Sequence, residues 1–144
     1  MSDRPDPRPR GYYRHFAPQA TRWNDNDPYG HVNNSVHYFW FDSAVNGWMI
    51  ERGMLDIAGE TIGLVVETGC RYFAPLAYPQ KVEIGLRIAR LGGSSLTWHL
   101  GVFAEGAATP AAEGHFTHVI VDAGTRRPKS MPDDWRSAYE TLAG

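Results

Sequence analysis

One segment of the chain carries a helical period and nearly everything after it carries a strand period, and that asymmetry restricts the fold most. From residue 33 to 52 the apolar positions Val36, Phe39, Trp40, Ala44, Gly47 and Trp48 recur at helical spacing. Asn33 or Asn34 is a candidate cap at the front, and Gly53 stands where a left-handed stop belongs. Tyr38, Phe41, Val45 and Met49 spread apolar surface beyond one stripe and leave only Ser35, Asp42 and Asn46 as a polar seam, so the helix is expected to be enclosed on most sides. Downstream, residues 62–73, 81–91, 96–104 and 113–121 read as four strands separated by turn formers. The alternation is clearest where Val82, Ile84, Leu86 and Ile88 oppose Lys81, Glu83, Gly85 and Arg87. Upstream, residues 12–23 admit a first strand in which Pro18 is tolerated only at an edge or a break. Residues 132–142 form a short amphipathic C-terminal helix. An antiparallel sheet needs a cover and an apolar helix needs a wrapper, which argues an α+β fold; the pattern alone leaves several α+β arrangements open.

A chain of 144 residues suffices for one core and divides poorly into two. The expected organisation is a flexible arm over 1–10, where prolines alternate with charges, and one domain over 11–144. A net charge of -2 provides no basic field for nucleic acid or anionic lipid, so neither is an expected partner. No apolar run approaches the roughly 20 residues that cross a bilayer. Cys70 is the single cysteine and the N-terminus lacks the apolar core of a signal peptide, which together predict a cytoplasmic protein.

Polar chemistry concentrates just before the long helix, in Asp25-Asn26-Asp27-Pro28-Tyr29-Gly30-His31-Val32-Asn33-Asn34. A helix N-terminus offers unpaired N–H groups and a partial positive charge that polarise a carbonyl, and a carboxylate beside it supplies a base or nucleophile. The same residue types also serve to close a turn and cap a helix, and spacing alone leaves both readings open. A calcium loop fails, because Tyr29 and Val36 occupy positions where oxygen ligands are required. Asp25, Asp27 and His31 are the candidate transition-metal set, but the other histidines show no pairing at ligand spacing, and no metal is expected.

The run Trp23-Asn24-Asp25-Asn26-Asp27-Pro28-Tyr29-Gly30-His31-Val32-Asn33-Asn34-Ser35-Val36-His37-Tyr38 resembles the signature of the hot-dog-fold thioesterases of the 4-hydroxybenzoyl-CoA thioesterase type. Tyr72-Phe73-Ala74-Pro75-Leu76, Leu91-Gly92-Gly93-Ser94-Ser95 and Arg126-Arg127-Pro128 follow in the order that family shows, so the resemblance spans residues 12–136. It implies a hot-dog fold, an antiparallel sheet wrapped around one long central helix, and hydrolysis of an acyl-CoA thioester to free acid and CoA. It further implies that Asp27 is the catalytic carboxylate, acting as nucleophile or general base, and that the electrophilic backbone N–H is that of Asn34. His31, Asn33 and Tyr38 are candidate substrate contacts, although at this spacing Tyr38, like Trp40, is more often a core residue than an acyl-pocket one. Ser95 is the implied contact for pantetheine or phosphate. No cofactor is implied, the acyl carrier is CoA or an acyl carrier protein, and the chain is expected to form a homodimer or homotetramer with sites at subunit boundaries. Gly92-Gly93-Ser94 departs from the basic cluster of the 4-hydroxybenzoyl enzyme, leaving Arg71, Arg90, Arg126 and Arg127 as candidates for gripping the nucleotide.

Two rival functions, making three readings in all, and three other candidate residues stand beside this one. Asp42 is a helical carboxylate on the polar seam, Asp25 reads as a turn acceptor, and Cys70 within a strand reads as inert. An acyl hydratase or dehydratase needs a histidine paired with an acid, for which His31 and Asp42 are the candidates. A non-catalytic acyl-CoA binder is the third, since fold does not fix function.

Overall fold

The alternating segments become a single sheet. In the computed structural model, which describes residues 5–144, the strands β1 (His15–Ala20), β2 (Thr61–Tyr72), β3 (Lys81–Leu91), β4 (Ser95–Ala104) and β5 (Ala112–Asp122) lie in the order β1-β3-β4-β5-β2, every pair antiparallel. Helix α1 (Asn34–Glu51) packs on one face of the sheet, and α2 (Asp133–Glu140) closes the core. This is the α+β hot-dog arrangement, a sheet wrapped around one long helix.

Aromatic side chains join the two layers. The Trp48 ring of α1 lies 5.7 Å from Trp98 of β4, and Phe41 lies 6.0 Å from Phe116 of β5, both edge to face. Tyr139 of α2 stacks on Trp48 at 5.9 Å. Each such ring, fully removed from water, contributes on the order of 2–3 kcal/mol. Alternation decides which residues reach this layer: Trp98, Phe116 and Ile120 face the helix, while their neighbours His99, His115 and Thr117 line the opposite face.

That opposite face holds the N-terminal segment. Tyr13 lies over Gly85 and Gly101, where a Cβ would approach its ring to 2.8 and 2.7 Å, and its hydroxyl donates to Glu113 at 2.9 Å. Residues 1–4 of the expected arm lie outside the described residues. Farther along the same segment, the Arg8 N–H donates to Glu113 at 2.9 Å and the Arg10 guanidinium pairs with Glu83 at 2.7 Å.

The expectation of a helix enclosed on most sides is corrected. Val36, His37, Trp40, Phe41, Ala44, Val45, Trp48 and Met49 are buried, whereas Phe39 is 69 % and Ile50 59 % exposed on the other side. One sheet covers one side of a cylinder, so apolar residues beyond that side have no cover within the protomer. The sheet's two edges also differ. β1 is six residues long and contains Pro18, while β2 runs for twelve residues with Val65 and Val66 exposed and a register shift between Val65 and Glu67.

Candidate active site

The polar run before α1 folds into a tight loop because its side chains satisfy its own backbone. Asp25 is wholly buried; its carboxylate accepts from the Arg22 N–H at 2.8 Å and from Arg22 Nε and Nη2 at 3.0 and 2.8 Å. Its carbonyl accepts from the Asn33 N–H at 2.8 Å. Across the loop the Asp27 N–H donates to the His31 carbonyl at 2.8 Å, and Gly30 makes the reversal at φ 82°, a conformation that favours glycine. The Asn26 side chain accepts from the Tyr78 N–H, and the Val32 N–H donates to the Leu76 carbonyl, which ties the loop to the chain following β2.

This frame presents Asp27 at the mouth of a cleft of about 400 Å³ lined by His31, Asn34, His37, Tyr72 and Leu76 among others. One carboxylate oxygen, Oδ1, accepts from the Tyr29 N–H at 2.9 Å, the local bond that an aspartate makes in a turn. Asn34 is the first helical residue, and its N–H takes no acceptor among the described residues, as the geometry of a first turn requires. Tyr72, at the end of β2, donates to the Asn34 carbonyl at 2.9 Å and so holds the helix start against the sheet edge. Burial raises the Tyr72 phenol, with Cys70 and Tyr38 adding to the shift, and it stays protonated.

The cleft brings together Asp27, His31 and Asn34 of the expected site. Asn33 is the helix cap, its Oδ1 accepting from the Ser35 N–H at 2.9 Å and hydroxyl at 2.8 Å, so that oxygen is engaged. Tyr38 is half-buried, packed 6.1 Å from Phe41. Ser95 sits at the other end of the sheet: Tyr72 aligns with Ala112 and Val102, seven strand residues from Ser95, which is about 23 Å. Asp42 lies eight residues along α1 from Asn34, about 12 Å, exposed and accepting from Asn46, so one protomer does not join it to His31. Burial pushes the Cys70 thiol up to about 11, where it is protonated and a poor nucleophile. Among the described residues no three His, Cys, Asp or Glu side chains gather as a metal site.

Two further residues of the cleft, His37 and Tyr72, escape a reading of the sequence for site chemistry. Their signals were present: a histidine set among the buried positions of α1, and the first residue of the 72–76 segment. His37 is 4 % exposed, its ring 5.3 Å from Trp40 and 5.1 Å from Tyr72, and its Nδ1 has no hydrogen-bond partner among the described residues. Burial lowers its pKa to about 4, so the imidazole is neutral at pH 7.

Residues 21–139 match the Thioesterase-like superfamily. The chain is similar to the PA5185 protein of Pseudomonas aeruginosa, 51% identical over 96% of this chain and 98% of that one, with a TM-score of 0.93. It is 29% identical to the PA2801 protein of the same organism, described as a proposed thioesterase, over 88% of this chain and 98% of that one, with a TM-score of 0.79. Slr0204 of Synechocystis, a 1,4-dihydroxy-2-naphthoyl-CoA thioesterase, shares the fold at a TM-score of 0.79 and 17% identity over 88% and 96% of the two chains.

Proposed function

The chain belongs to the Thioesterase-like superfamily, and we propose that it hydrolyses an acyl-CoA thioester to the free acid and CoA in the cleft between Asp27 and the start of α1. One observation carries the reading: a carboxylate with one oxygen uncommitted to its turn shares a cleft with a helix-terminal N–H that has no acceptor among the described residues. The thioester carbonyl oxygen accepts from the Asn34 N–H, and the helix terminus stabilises the negative charge that develops there. Asp27 then acts in one of two ways. As nucleophile it bonds to the acyl carbon, the C–S bond breaks, CoA leaves as thiolate, and water opens the resulting anhydride. As general base it takes a proton from water, whose oxygen bonds to the acyl carbon as the same C–S bond breaks. Either route consumes one water and yields acid and thiol, with no redox change. The thiolate is a good leaving group and needs little acid assistance.

A pair of chains makes the site whole. β2 is a long border strand of the sheet with Val65 and Val66 exposed, and an antiparallel pairing of two such borders gives their outward-facing backbone groups partners. In that pairing the Ser95 end of one copy lies beside the Asn34 end of the other, which makes Ser95 of a second copy the candidate pantetheine contact. The described thioesterase relatives support hydrolysis, and the acyl group is left open. The test is thiol release over a panel of short, long and aromatic acyl-CoAs and an acylated carrier protein. Release from at least one is expected. Tight binding without release over hours would replace the reading with a binder, and loss of an enoyl-CoA chromophore without release would replace it with a hydratase.

A further inference from the structure

His37 is the one buried titratable side chain of the cleft that hydrolysis by Asp27 and Asn34 leaves unused. It follows Asn34 by three residues, so both lie on the same helix face, and side chains on a helix tilt toward its N-terminus. The imidazole therefore leans over the turn that begins with the Asn34 N–H, and it lines the same cleft as Asp27. Its Nδ1 is sealed from solvent and unpartnered, so the neutral ring is best accommodated with its proton on Nε2, which avoids an orphaned donor. Nε2 is then the nitrogen available to a bound group. We propose that His37 is a second carbonyl-polarising residue, donating from Nε2–H to the thioester oxygen beside the Asn34 N–H.

Neutrality suits this role. An imidazolium would pair with the Asp27 carboxylate and compete with its attack, whereas a neutral donor polarises the carbonyl without that competition. The Trp40 and Tyr72 rings both pack edge to face with the imidazole and restrict its rotation, so little reorganisation accompanies the rise of charge on oxygen. The inference rests on the same cleft being a thioester site, and its test separates the two claims.

The probe is benzoyl-CoA labelled with carbon-13 at the carbonyl, bound to an Asp27→Asn protein so that the thioester persists, with the carbonyl stretch read by infrared difference spectroscopy. The band is expected below its frequency in water, and adding His37→Phe should return it toward that value. Phe keeps a planar ring beside Trp40 and Tyr72 and removes an unpartnered nitrogen, so this variant should melt close to its parent. In the Asp27-intact protein His37→Phe should lower kcat by about 10²-fold, the scale of one lost oxyanion donor, with little change in KM. His37→Gln, which keeps a donor, should retain most of the band shift and stay within about tenfold of wild type. A folded His37→Phe protein with the parent's band and kcat overturns the inference and leaves the hydrolase reading intact. A lowered, His37-dependent band in a protein that releases no thiol overturns the hydrolase reading and leaves the His37 contact standing.

Discussion

Asp25 and Asp27 stand two residues apart and should fail in opposite ways when each is replaced by asparagine. In Asp27→Asn the amide oxygen still accepts the Tyr29 N–H, so the turn survives and only the difference between a charged and a neutral acceptor is lost, about 1 kcal/mol. At roughly 3 °C per kcal/mol for a chain of this size, melting should move by no more than about 3 °C. Turnover should fall by about 10² to 10⁴, equivalent to about 3–5 kcal/mol of barrier, because neither a nucleophile nor a base remains. Asp25→Asn reverses the pattern. Both of its oxygens accept from Arg22, so the new amide group must turn its N–H donors onto one of those donors in a site closed to water. That conflict costs roughly 2–4 kcal/mol, or about 6–12 °C of melting temperature, moderated by the exposure of Arg22. Turnover per folded molecule should be reduced much less than in Asp27→Asn. The assay pairs calorimetric melting with thiol release at saturating acyl-CoA. A folded Asp27→Asn protein turning over near the wild-type rate would refute the assignment, as would an Asp42→Asn protein that is folded and dead.

Asn34→Pro should remove one N–H and little else, because Asn33 at φ -59° and ψ 139° already has the extended backbone that precedes a proline. kcat should fall by about 10–10³-fold with an unchanged melt, Asn34→Ala should be milder, and a folded proline variant at wild-type turnover contradicts the helix-terminal donor. Val65→Lys places a charge on the exposed β2 edge and should convert an active dimer or tetramer into an inactive monomer by sedimentation; a fully active wild-type monomer at assay concentration contradicts pairing through that edge. Burial lowers both His37 and His118 to about 4, so between pH 6.5 and 4 the unfolded chain binds protons that the folded one refuses. Stability from these two groups is therefore whole above pH 6.5 and falls as pH drops toward 4, by up to about 3 kcal/mol each. Melting across that range should show the decline, and His37→Phe should remove the His37 share of it, leaving that of His118.

What the linear pattern conveyed was whatever depends on neighbours within a few residues. Gly53 does stop α1 at φ 69°, Pro18 does fall in an edge strand, and the alternation from Lys81 to Ile88 does mark β3, because each is a local backbone or periodicity constraint. The reach of the helix's cover is not legible in the sequence, since Phe39 and Ile50 look equally apolar whether one sheet or a second molecule lies over them. His37 was passed over because its burial depends on Tyr72, thirty-five positions away, and no periodicity joins the two. Ser95 was grouped with Asp27 on resemblance, and only strand register reveals the length of sheet that separates them within a protomer.

Pro18 has a consequence for growth rather than for folding. A sheet with two similar open edges can add copies at both and extend without limit, as fibres do. Here the borders are unlike: β1 is short and interrupted by a residue with no N–H to offer, while β2 is twelve residues long with Val65 and Val66 exposed. Pairing like with like through β2 uses up the adhesive border of both partners and leaves only the proline-bearing ones outside. In the proposed pairing such a contact terminates at two copies, and the proline would act as an end-stop against a filament.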